Sequence, residues 1–282
     1  MPVALVTDST AYLPADLREQ VAIVPLHVVV GGKEFSEGVD IMPEDVAKAL
    51  RTFTPVTTSR PAPGAFLAAY QRAADAGADA VVSVHISSDL SATIGGAELA
   101  AGESPIPVTV VDSRSLGMVM GYAVESGLAL AATGASVEEV ADHVRKRCAA
   151  ADVAFYVDTL EYLRRGGRIG KASALMGSAL AIKPILALRD GVIVPLERVR
   201  TASRAIGRLE ERAGELIADA LASGGGVDVA VHHLDSLDRA NALAERLQTR
   251  VGDAGQVRVL ELGAVVGAHV GPGTLATVVS PR

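Results

Sequence analysis

The chain has 282 residues, 49% apolar and 21% charged, with a formal net charge of −7 at pH 7. That length buries one large core or two ordinary ones, and the apolar share is too high for a disordered chain. The negative balance argues against a general nucleic-acid binder, and with no Trp, four Phe and five Tyr few rings are left to stack on bases. The single cysteine, Cys148, excludes an internal disulfide and a cysteine metal cage, and with no paired-His spacing or dinucleotide fingerprint either, no metal and no cofactor are expected. "MPVALVTDST" lacks the basic start of a signal peptide, and the longest apolar run, "GMVMGYAVESGLALAATGA", is broken by Glu125. These features predict a cytoplasmic protein with no stable membrane insertion.

In chain order, "PVALVT" reads as a strand and Pro14–Gln20 as a helix. "VAIVPLHVVV" and "KEFSEG" flank Gly31-Gly32, a hairpin signal. Then "GAFLAAYQRAADAG" (helix), "AVVSVHI" (strand), "SATIGGAELAAG" (helix), "PVTVVD" (strand) and "MGYAVESGLALAATG" (helix) alternate as in a parallel sheet covered by helices. From about Ala151 the pattern shifts: "VAFYVD" is a strand, and "KPILALRDGVIVPLERV" a hairpin turning at Asp190-Gly191. A helix (Ser203–Ser223), the strand "VDVAVHHL", a helix (Asp235–Arg250) and the strands "VRVLEL" and "TLATVVS" follow. The predicted fold is two α/β domains, residues 1–155 with a mainly parallel sheet and residues 156–282 with a mixed sheet.

Four strands of the first half end in hydroxyl-rich turns: Thr7-Asp8-Ser9-Thr10, Thr57-Thr58-Ser59, Ser87-Ser88-Asp89-Leu90-Ser91 and Asp112-Ser113. Each alone reads better as a helix cap; together at one sheet edge they predict an anion or carboxyl site. Known catalytic signatures fail. "GGRIGKAS" lacks the first Gly and the Ser/Thr of a phosphate loop, and no dinucleotide fingerprint or nucleophile elbow exists. His232 and His233 are adjacent in a strand, so they face opposite sides. His27, His85 and His143 are isolated and read as structural. Arg164, Arg165, Arg168 and Lys171 form a basic cluster, either a solvated helix end or a docking point for a phosphate-bearing ligand or an acidic partner. "GAVVGAHVGPGTLATVV" (263–279) reads as a buried strand holding one imidazole, His269, among glycines. Its glycines leave two readings open, a core histidine bonded to a carbonyl and a contact to a ligand.

These residues resemble the DegV family of bacterial fatty-acid-binding proteins across nearly the whole chain. The resemblance lies in "TDST", "TSRPAPGAF", "ISSDLSATIGGA", "VVDS", "LEYLRRGGRIGKASALMGSALAIKPIL", "RVRT" and "GAHVGPG". It implies two α/β domains enclosing one long-chain fatty acid, its carboxyl group held by Thr58, Ser91 and His269, with Ser59 and Ser88 nearby. It also implies a separate ATP-dependent fatty acid kinase subunit that makes the acyl-phosphate, docking near Arg165, Arg168 and Lys171. The chain departs from the usual pattern at Arg60, Ala62, Ala92, Gly117 and Val119. A carrier role, with no catalytic residue of its own, is therefore expected. The alternative from the residues alone is a hydrolase or acyltransferase pairing Ser91 with His269; a module sensing a small anion is a third.

Overall fold

The computed structural model describes residues 2–175 and 182–282; the 176–181 part of the long basic block lies outside them. The first half contains β1 (Val3–Asp8), β2 (Ala22–Val24), β3 (His27–Val30), β4 (Lys33–Ser36), α1 (Pro43–Arg51), β5 (Val56–Ser59), α2 (Pro63–Asp75), β6 (Ala80–His85), α3 (Thr93–Ala101), β7 (Val108–Asp112), α4 (Met118–Ala131) and α5 (Val137–Ala150). The second half adds β8 (Asp152–Tyr156), α6 (Glu161–Arg165), β9 (Lys183–Arg189), β10 (Val192–Val199), α7 (Ala202–Ala222), β11 (Val227–His233), α8 (Leu237–Val251), β12 (Val257–Glu261), α9 (Ala264–Val270) and β13 (Leu275–Pro281).

Among the described residues there are three sheets. A four-stranded sheet, β2-β1-β6-β7, is parallel throughout, and a six-stranded sheet, β10-β9-β8-β13-β11-β12, is mixed, with only β11 and β12 parallel. The fold class is thus α/β with one parallel and one mixed sheet. The third sheet, β4-β3-β5, is antiparallel. All six residues of β6 are buried, as in a parallel strand covered on both faces. Helices α2 and α3 cover one face of the parallel sheet through Phe66, Tyr70 and Ala97. Helices α4 and α5 lie between the other face and the mixed sheet, so Leu5, Val84, Val144, Phe155 and Val278 belong to one core. Helix α7 buries Ala205, Leu209, Ala213 and Ile217 at a four-residue spacing against the far face of the mixed sheet.

Local chemistry places the turns. Gly31-Gly32 and Asp190-Gly191 both take positive φ at both positions, the geometry of two-residue hairpins. Helix α5 begins in a capping box, with Ser136 Oγ accepting from the Glu139 amide (3.2 Å) and Glu139 Oε2 from the Ser136 amide (2.8 Å).

Three expectations are corrected. Pro14–Gln20 forms successive tight turns, such as Leu17 N–H to Pro14 O (3.1 Å), because only Leu17 is part-buried between Ala15 and Gln20 and so short a segment has no apolar face to hold a helix. The run from Ala264 to Val270, expected as strand, is helix α9; a continuous apolar run carries no periodicity to separate the two. The four hydroxyl-rich segments do not share one sheet edge. Three close strands of the parallel sheet, whereas Thr57-Thr58-Ser59 lies within β5 of the small sheet, where Thr58 pairs with Val28.

Helix α4 crosses the turn after β1 closely enough that a Cβ on Gly121 would fall 2.4 Å from the Ala11 carbonyl oxygen. Gly121→Ala should therefore lower stability by about 1–3 kcal/mol despite alanine's better helix propensity. Urea denaturation with an unchanged midpoint would contradict that packing.

Candidate functional site

Helix α9 is held at both ends by residues more than 200 positions earlier. At its start, the Val265 amide donates to Glu37 Oε1 (2.8 Å), and Ser9 Oγ donates to Glu37 Oε2 (2.5 Å) while accepting from the Leu26 amide (3.0 Å). A Cβ on Gly263 would fall 2.2 Å from Glu37 Oε1, so glycine there lets the carboxyl reach the helix. Burial raises the Glu37 pKa to about 7, opposed by its two hydrogen bonds and aided by Asp8. Burial, then Glu37, raises that of its neighbour Tyr12. At the other end, His269 Nε2 and Thr58 Oγ1 share a hydrogen bond of 2.8 Å.

That bond borders a cavity of about 170 Å³. Thr58 and Ser59 from β5, Ser91 from the turn after β6, Arg168 from the turn after α6 and His269 from α9 all line it. Ser91 Oγ bonds Thr93 Oγ1 (2.8 Å), and Ser59 Oγ donates to Glu34 Oε2 (3.1 Å). Arg168 is a tie between loops, its Nε donating to Leu90 O (2.9 Å) and Nη1 to Gly166 O (2.7 Å). His269 sits under Gly166, where a Cβ would lie 2.0 Å from Nδ1, and that nitrogen has no partner among the described residues. Burial, then the Arg168 charge, lowers the His269 pKa to about 4, so the imidazole is neutral at pH 7.

The other sequence candidates lie apart. Ser88 is exposed and donates to Asp112 Oδ2 (2.6 Å). Arg165 is exposed and paired with Glu161 (2.7 Å); it lines an outer cavity of about 660 Å³ that shares Thr58, Arg168 and His269 with the first. Lys171 is exposed beyond both. Arg60 lines the first cavity and was not singled out as a site residue; its place in "TSRP", two residues after Thr58, is the signal. The Ser91–His269 pair of the hydrolase reading is not formed, each being bonded elsewhere. An Asp8–His85–Ser83 series does exist (3.1 and 2.7 Å), but all three side chains are fully buried, out of a substrate's reach.

Behind the first cavity lies a smaller one of about 40 Å³, apolar except for His232 and Thr274. Leu116, Ile193, Val266 and Val270 line both. The Met118 amide donates to His232 Nε2 (3.1 Å), which leaves the ring proton on Nδ1, and burial lowers the His232 pKa to about 4. A head compartment of mixed polar and apolar lining thus abuts a small apolar cavity, with neutral histidines in both.

The Glu37 pKa is raised on folding, so its contribution favours the fold at low pH and is lost as pH rises through about 7. Replacing Glu37 by Gln removes that loss. Relative to the parent, the variant should gain about 3 kcal/mol between pH 4.5 and 7, read by urea denaturation across that range. A difference independent of pH would contradict the buried-carboxyl account.

Comparison with known proteins places this geometry. A sequence model described as an uncharacterised protein family, DegV, matches residues 2–282. A DegV domain-containing protein of Streptomyces coelicolor is 52% identical over 282 residues, covering 99% of each chain. A DegV family protein of Thermus thermophilus, solved in connection with fatty acid binding, superimposes with a TM-score of 0.91 at 35% identity over 100% of both chains. DegV of Bacillus subtilis, described as a fatty acid binding protein, gives 0.90 at 32% identity over 100% of both. Among the described residues no helix is long and apolar enough to cross a membrane. With the match spanning the chain and the fold shared throughout, the protein belongs to the DegV family.

Proposed function

We infer that the chain binds one long-chain fatty acid and presents it to a separate ATP-dependent fatty acid kinase subunit. The observation that carries this reading is the junction of two cavities, one lined by hydroxyls, His269 and Arg168, the other apolar, through four shared side chains. The fatty acid binding of the Thermus and Bacillus relatives supports it. In this reading Thr58, Ser91 and His269 hold the carboxyl group with Ser59 at the rim, while Ser88 acts on the loop through Asp112.

The energetics suit such a ligand. A buried carboxylate needs several donors to offset its lost hydration. A neutral imidazole and three hydroxyls supply them, and the Arg60 and Arg168 guanidiniums that line the same cavity add positive charge. Each buried methylene contributes about 0.8 kcal/mol, so a sixteen-carbon tail gains roughly 10–12 kcal/mol before entropic costs. The cavities, about 170 and 40 Å³, fall below the roughly 300 Å³ of ordinary ligand pockets. Admission of a tail therefore requires Leu116 of the loop before α4, Ile193 of β10 and Val266 of α9 to part.

Phosphorylation belongs to the partner. A carboxylate oxygen forms the new bond to the γ-phosphorus of ATP as the bond to the ADP oxygen breaks, and no proton need move. The outer cavity opens on Thr58 and His269, with Arg165 at its edge and Lys171 exposed beyond, and this face is where the kinase docks.

Lipid extraction and native mass spectrometry of the purified protein should show a bound long-chain acid. Protein that is empty and fails to take up palmitate or oleate would overturn the reading. His269→Ala should weaken palmitate binding at least tenfold while the protein stays folded; loss of folding would return His269 to a core role. Turnover of acyl esters abolished by Ser91→Ala would favour the hydrolase instead.

A further inference from the structure

The ionisable side chains lining the head compartment are Arg60, Arg168 and His269, and among the described residues no carboxylate lines it. Two fixed guanidinium charges therefore face a compartment that a single carboxylate would half neutralise. The two arginines are not equivalent. Arg168 is part-buried and spends donors on Leu90 O and Gly166 O. Arg60 is exposed and makes one long bond, Nη1 to Ala92 O at 3.3 Å, leaving its other donors without a partner among the described residues. Ala92 precedes α3 and offers that helix no side-chain cap.

The chain direction aims Arg60 at the same place as Thr58. Residues two apart in an extended segment share a face, about 6.6 Å from one another. Ser59, between them, stands at the rim and donates to Glu34, an acid of β4 that does not line the compartment. A group joined to a carboxyl oxygen at Thr58 and directed outward thus meets Arg60.

We propose that Arg60 is a specificity-determining residue that makes the head compartment favour a doubly charged acyl phosphate over the fatty acid it is made from. This rests on the fatty-acid reading above. A fatty acid brings one negative charge, whereas a phosphorylated head brings nearly two at neutral pH, with acceptor oxygens suited to a forked guanidinium. The two arginines match that second state. The neutral His269 adds hydrogen bonding and no further charge at pH 7. The consequence is a carrier that holds its phosphorylated cargo more tightly than its starting cargo.

Hexadecyl phosphate, a stable dianion at pH 8, serves as the probe beside palmitate, and both are measured by displacement of a fluorescent fatty acid at low and high salt. The parent should bind hexadecyl phosphate about tenfold tighter than palmitate, the preference shrinking with salt. Arg60→Gln should erase that preference, and Arg60→Lys should restore part of it as a point charge. A preference of the same size in Arg60→Gln, or none in the parent, would overturn the role of Arg60 while leaving palmitate binding to stand. Failure of palmitate itself to bind the parent would overturn the fatty-acid reading and this proposal with it.

Discussion

The placement of one short helix conditions the site. Helix α9 has only seven residues, too few to persist alone in water, and it comes from the end of the chain. It is nevertheless fixed against the small antiparallel sheet and α1 by Ala264, Val265 and Ala268, with Glu37 at its first turn and Thr58 at its last. Both anchors come from the first half. Covalent proximity contributes nothing here, so burial and two hydrogen bonds set where His269 stands relative to β5. The buried Glu37 carboxyl is a destabilising choice at neutral pH, retained where it fixes a geometry.

The alternation of strands and helices, the two hairpins and α7 were legible from spacing and turn residues. Thr58, Ser59, Ser91, Arg168 and His269 were legible as candidates, and one cavity gathers all five. Ser88 does not line that cavity, because a serine at a strand end has two ways to face and this one faces Asp112. Helix α9 was not legible because its run is apolar on every side and its cap is a carboxyl 228 positions away. Helices α1 and α5 carry start signals, Pro43 and the Ser136-x-x-Glu139 box, that the strand-first reading passed over. Glu37 acquires meaning only from what the tertiary fold sets beside it, whereas Arg60 is signalled by its place two residues after Thr58.

In the proposed reading, the head compartment also reconciles an acidic protein with an anionic ligand. The overall charge of −7 would repel one at long range. Within the compartment, that field is overridden by two nearby arginines and by hydroxyl dipoles, while both cavity-lining histidines are held neutral by burial. Local composition, and not net charge, decides what enters.

The inner cavity lies in the wall of the core that joins the two large sheets. Val153, Phe155, Leu188, Ile193, Leu262 and Ala276 belong to both. A guest lodged there is gripped by the same side chains that hold the halves of the molecule together. Its departure is then a breathing of the core, with the steep temperature dependence of local opening and not the shallow one of diffusion from a groove. In the proposed reading, retention is governed by time, and a partner that hastens delivery does so by loosening the contact between the two sheets.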